Sequence, residues 1–101
     1  MIIIEFSIVP LGVGISVSKF VAEAVKVLEE EGVNYKLTPM CTIFEVDSID
    51  RAFEIIAKAH KAVINIGAQR VLTSIKIDDR RDIERKMDDK VKSVMVRLKS
   101  D

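Results

Sequence analysis

Residues 33–46 read VNYKLTPMCTIFEV, and whether this stretch is one strand or two decides the fold. Pro39 has no backbone N–H to give to a ladder, so a single strand cannot run through it. The stretch divides into two strand-like pieces, one led by Tyr35 and Leu37 and the other running from Ile43 to Val46, with Pro39 and Met40 between them. That is a hairpin or a kinked pair. Upstream, Val17, Phe20, Val21, Ala24, Val25 and Leu28 recur at steps of three and four, with charged residues mainly elsewhere, and Gly32 follows as a stop. This predicts a helix from Val17 to Gly32. Before it, IIIEFSIV at 2–9 is rich in β-branched residues and predicts a first strand closed by Pro10.

Downstream, the apolar positions Ile49, Phe53, Ile56, His60, Val63 and Ile64 predict a second helix, with Asp47 or Ser48 as N-cap and Gly67 as stop. RVLTSIKI at 70–77 reads as a fourth strand, broken by the charged run DDRRD. A last, very polar helix from about Ile83 carries a narrow stripe of Met87, Val91, Val94 and Leu98. The order is βαββαβ followed by a helix. Two right-handed βαβ crossovers then give an α+β, ferredoxin-like sandwich: a four-stranded antiparallel sheet in order 4-1-3-2, two helices on one face, and the C-terminal helix added. A chain of 101 residues, 49% hydrophobic, suits one domain spanning 1–101.

Sixteen basic and sixteen acidic residues balance, so no overall field favours nucleic acid or an acidic membrane surface. The N-terminal apolar run lacks a basic leader and is interrupted by Glu5, which reads as neither signal peptide nor membrane span. A single cysteine, Cys41, excludes an internal disulfide framework and a cysteine-rich zinc site, and fits a reducing cytoplasm.

Strand alternation sorts the sheet into two faces. Ile2, Ile4, Phe6 and Ile8 face the helices; Ile3, Glu5, Ser7 and Val9 face away, joined by Ile43, Glu45, Leu72, Ser74 and Lys76. One helical layer leaves that second face uncovered, so its aliphatic side chains predict sheet-to-sheet pairing of subunits, and the terminal stripe suggests a dimer of dimers. For Glu5, Glu45 and Lys76 two readings fit: a cross-strand ion-pair ladder, or a polar pocket for an amine-bearing ligand. The loop VPLGVGISVSKFV at 9–21 has valine where a third glycine of G-x-G-x-x-G would stand, which excludes a dinucleotide fingerprint. Ser16 and Ser18 there either cap the helix or receive an anion. His60 has isoleucine, not histidine, four residues on, so it reads as a core-edge residue; Cys41, without a second thiol, reads as packing. The carboxylates of IDDRRD are interleaved with arginines and read as a self-paired turn; no metal site is expected.

The blocks MIIIEFSIVPLGVGISVSKFVAE, YKLTPMCTIFE, AHKAVINIGAQRVLTSIKIDDRRD and MDDKVKSV together resemble the YkoF-like thiamine-binding protein family over nearly the whole chain. The resemblance implies a ferredoxin-like fold, assembly through sheets into dimers and tetramers, binding of thiamine or its hydroxymethylpyrimidine portion, no cofactor and no enzymatic reaction. In the family block T-P-M-G-T-I-I-E-G, this chain has Cys41 for the first glycine and Val46 for the second, and both changes add bulk. The resemblance and the second face together nominate Glu5, Ser7, Thr38, Met40, Thr42 and Glu45 as ligand-binding residues. Glu45 and the hydroxyls suit an aminopyrimidine, with Met40 or Phe44 against its ring. The alternatives are a structural or regulatory oligomer without ligand, and an enzyme acting on a thiamine precursor through Cys41 with His60 or Glu5 with Glu45.

Overall fold

The computed structural model describes residues 1–99 of the chain. Its elements are β1 (Ile2–Leu11), α1 (Ser18–Glu31), β2 (Tyr35–Leu37), β3 (Thr42–Val46), α2 (Ile49–Asn65), β4 (Arg70–Asp78) and α3 (Met87–Lys99). The strands form one antiparallel sheet in the order β2-β3-β1-β4, the ferredoxin-like arrangement expected from the element order. Ile2, Ile4, Phe6 and Ile8 of β1 and Phe44 and Val46 of β3 pack against Phe20, Ala24 and Leu28 of α1 and Ile55, Ala59 and Val63 of α2. Phe6 and Phe44 meet edge to face at 5.7 Å, a geometry their ring quadrupoles favour.

Four details depart from the sequence reading. Pro10 does not close the first strand: β1 continues to Leu11, with Pro10 opposite Val71. The helix cap at residue 17 is Val17, without a side-chain hydrogen bond, so neither Ser16 nor Ser18 caps α1. Gly32 does stop that helix, at φ +71°, a conformation glycine adopts without steric penalty. The inward face of α2 is Ala52, Ile55, Ile56, Ala59 and Val63, leaving Phe53 and Ile64 exposed, and Ser48 is its N-cap, accepting from the Arg51 N–H at 3.2 Å. The last helix starts at Met87, not near Ile83. The preceding turn is self-paired as expected: Arg80 donates to both oxygens of Asp82, at 2.7 and 2.9 Å, and Arg81 to Asp79 at 2.9 Å.

After β4 the chain crosses the second face of the sheet, so that face is partly covered and not bare. Met87 is buried there, the Met1 amino group pairs with Glu84, Lys36 with Asp88, and Lys90 with Asp78. Beyond its first turn α3 leaves the sandwich. Val91, Val94, Met95, Val96 and Leu98 are all exposed, and the molecule measures 49 × 31 × 20 Å with a radius of gyration of 15.2 Å, against ~13 Å for a compact chain of this length.

Candidate functional site

The sheet has an asymmetry that creates a cavity. β3 pairs with β1 only over Ile2–Phe6, whereas β4 pairs with β1 as far as Leu11. Residues 7–11 of β1 therefore have a neighbour on one side alone. Which groups face the open side follows from two bonds: the Glu45 N–H donates to the Asn34 carbonyl at 3.1 Å and the Thr38 N–H to the Cys41 carbonyl at 2.9 Å. Odd-numbered residues of β3 thus turn their backbone toward β2, and even-numbered ones toward β1. Phe44 lies opposite Ile4 and Thr42 opposite Phe6, so the even-numbered residues of β1 turn theirs toward β3. Past Phe6 these are Ile8, whose N–H and C=O face the gap, and Pro10, whose missing N–H would have pointed there. This is why a proline is tolerated inside a strand that is central in the sheet.

The gap is closed off by α1 and by the turn at 38–41, leaving a cavity of about 230 Å³. Ser7, Thr38, Met40 and Thr42 line it, four of the six residues nominated from the sequence, together with an apolar wall that includes Val17 and Val21. Thr38 shapes the turn. Its hydroxyl donates to the Cys41 carbonyl at 2.8 Å and accepts from the N–H groups of Cys41 at 3.1 Å and Met40 at 3.3 Å, while the Cys41 Sγ lies 3.4 Å away. Met40 is 87% exposed at the rim, free to lie across a flat ligand, and Thr42 is buried at the floor.

Glu5 and Glu45 stand elsewhere. Glu45 is 4% exposed, with both carboxylate oxygens engaged: Oε1 accepts from Asn34 Nδ2 and Oε2 from the Met87 N–H, each at 2.9 Å. It ties the loop before β2 to the first turn of α3. Glu5 is exposed and lines a separate hollow of about 540 Å³ on the second face, with Ile3, Ile43, Lys76, Met87 and Lys90. Although Glu5 lies opposite Lys76 in register, no ion pair joins them, and the cross-strand ladder, one of the two readings of Glu5, Glu45 and Lys76, does not form among the described residues. Ser16 and Ser18 are exposed in a groove along the outer side of α1. His60 lies apart from the cavity and shares a 2.6 Å hydrogen bond between its Nδ1 and the Thr73 hydroxyl, so the pairing of His60 with Cys41 is not assembled. Among the described residues, no group of three or more His, Cys, Asp or Glu is placed to hold a metal ion, and no helix is long and apolar enough to cross a membrane.

Ion pairs hold α3 in place and shift the groups that make them. A hydrogen bond from Lys90, then its charge, lowers the Asp78 carboxyl below its ordinary 3.8; the same two effects from Lys36 lower Asp88. The backbone of Ile8 was missed by sequence reasoning, because a free main-chain N–H and C=O have no side-chain signature. The only hint was Pro10.

A family model described as thiamine-binding protein matches residues 4–95. A UPF0045 protein of Methanothermobacter thermautotrophicus is 41% identical over 99 residues, covering 97% of this chain and 100% of its own. A crystal structure of a hypothetical protein from Methanocaldococcus jannaschii superimposes with a TM-score of 0.86 at 36% identity, over 93% of this chain and 95% of that one. A Thermotoga maritima protein, itself only proposed to act in thiamine biosynthesis or salvage, shares the fold with a TM-score of 0.79 at 15% identity, covering 92% of this chain and 97% of its own.

Proposed function

The chain belongs to the thiamine-binding protein family, and from that premise we propose that it binds thiamine, or the hydroxymethylpyrimidine portion of it, without transforming it. The observation that carries this reading is the cavity beside the unpaired length of β1. An aminopyrimidine presents, side by side, a ring nitrogen that accepts and an exocyclic amine that donates. Ile8 offers the complementary pair, an N–H and a C=O turned to the same side of an open strand edge, as a neighbouring strand would use them. The hydroxyls of Ser7 and Thr42 supply adaptable partners, the Thr38 hydroxyl being spent on the turn, and the apolar wall and Met40 take the ring faces. A volume of about 230 Å³ is below the ~300–1,000 Å³ of drug-sized sites. It suits one substituted ring, with the rest of thiamine emerging past Met40. Glu45 contributes by fixing the frame, and Glu5 lies outside this cavity.

The protein acts as a homo-oligomer in this reading. Ile3 and Ile43 are half-buried on the second face, Val9 and Leu72 exposed, and α3 adds its own apolar stripe. These surfaces support pairing of sheets and a dimer of dimers. The lone Cys41 suits the cytoplasm.

Calorimetry tests the ligand. Thiamine and hydroxymethylpyrimidine should both give saturable heat, and a thiamine analogue with an oxo group in place of the amine should bind at least tenfold more weakly, since the Ile8 carbonyl would then face an acceptor. Absence of heat and of any thermal shift with either of the first two at millimolar concentration would overturn the proposal.

A further inference from the structure

The two edges of the sheet differ. β2 has three residues, while β4 has nine, without proline, and pairs only along β1. A long edge with exposed Leu72, Ile75 and Ile77 is a template for another strand. We propose that β4 pairs antiparallel with β4 of a second copy of this chain, about a two-fold axis at Ser74, to make one continuous eight-stranded sheet.

The register follows from charge and parity. Even-numbered residues of β4 lie opposite the odd-numbered residues of β1 that face them, so Val71, Thr73, Ile75 and Ile77 turn their backbone groups to the free edge. With the axis at Ser74, Val71 meets the partner's Ile77 and Thr73 the partner's Ile75 as hydrogen-bonded pairs on the helix face. On the other face Leu72 meets the partner's Lys76, and Arg70, which has no ion pair among the described residues, meets the partner's Asp78, whose other neighbour is Lys90. All nine residues find partners. Moving the axis to Thr73 sets Arg70 against Lys76, like against like, which destabilises cross-strand pairs; moving it to Ile75 leaves Arg70 and Val71 without opposite residues in the strand.

The surface above the edge agrees. His60 bonds Thr73, beside the proposed axis. Phe53, 52% exposed, and Ile64, 45% exposed, share its side of α2 at steps of seven and four. Two copies related by this axis bring their α2 helices side by side, covering the apolar residues that helical periodicity marks and the monomer leaves bare. This interface is distinct from pairing across sheet faces and does not depend on the ligand.

The test places cysteines at 71 and 77 in a Cys41→Ala background. Six residues apart on one extended strand, ~20 Å, they cannot bond within a chain. In the proposed dimer each lies ~5.5 Å, Cα to Cα, from its partner, within disulfide range. Mild oxidation should convert Val71→Cys/Ile77→Cys to a covalent dimer while either single variant stays uncrosslinked; a double variant that crosslinks no more than the singles overturns the register. Independently, by analytical ultracentrifugation, Arg70→Asp should weaken self-association about tenfold, whereas Arg70→Lys, which keeps the charge and leaves the Asp78–Lys90 pair untouched, should retain it. An Arg70→Asp variant that associates like the parent overturns the charge pairing.

Discussion

Glu45 offers a test in which two substitutions of one residue separate a structural role from a ligand-binding one. In Glu45→Ala both acceptors vanish. Asn34 is exposed and exchanges the carboxylate for water, but the Met87 N–H bonds Glu45 in a buried place and is left without a partner. A lost bond to a charged acceptor and an orphaned donor together predict a loss of about 2–4 kcal/mol. In Glu45→Gln the new amide keeps its oxygen on the Met87 N–H and turns its nitrogen to Asn34, whose own amide flips to accept. Both bonds survive without charge assistance, for a loss of about 1 kcal/mol. At roughly 4–8 °C per kcal/mol for a domain of this size, the alanine variant should melt about 8–32 °C lower and the glutamine variant about 4–8 °C lower. The assay is thermal unfolding followed by circular dichroism, paired with thiamine calorimetry on each folded variant. A glutamine variant of parental stability that no longer binds thiamine would refute the reasoning and return Glu45 to the ligand site.

Thr38→Val removes the hydroxyl that holds three backbone groups of the 38–41 turn; stability should fall by about 1–2 kcal/mol in urea unfolding, and thiamine affinity by a larger factor than in Ser16→Ala, which lies outside the cavity. The folded-state pKa values of Asp78 and Asp88 are depressed, so the stability they contribute is present above the ordinary 3.8 and is lost as pH falls through their lowered values. Acid titration below about pH 4 should therefore release α3 first, read as a rise in amide hydrogen exchange at Met87, and protection there that is lost only together with that of the core strands would contradict it. Gly32→Ala places a side chain at φ +71° and should destabilise the end of α1 by about 1 kcal/mol in the same urea assay. Lysine at both Val94 and Leu98, exposed in the monomer, should reduce the assembled mass in light scattering if the stripe joins dimers, and no change would remove it from the interface.

The order of elements and the strand order were legible because each rests on a local cue: the break at Pro39, the stop at Gly32, the alternation of Ile2, Ile4, Phe6 and Ile8. What escaped depends on residues far apart in the chain. Pro10 reads as a terminator unless it is known that β3 ends opposite Phe6, since only an adjacent strand makes a missing N–H costly. The partner of Glu45 at the start of α3 is 42 residues away, and no periodicity reports it. In α2 the bulky residues Phe53 and Ile64 drew the apolar stripe too far round, whereas small Ala52 and Ala59 are the ones the core encloses. Thr38, Met40, Thr42 and Ser7 were brought together by the fold from two separate segments, and the sequence could nominate them only through the family block and the second face of the sheet.

The early end of β3 divides the labour of the sheet. Over Ile2–Phe6 β1 is held on both sides and carries the shared core, so substitutions there are felt by the whole domain. Over residues 7–11 it hangs from β4 alone, and what faces it is a short surface turn. Surface turns accept changes of residue and length far more readily than cores do. A lineage carrying this fold can therefore retune what its cavity accepts by altering residues 38–41, while mutational robustness is supplied by the other half of the same strand.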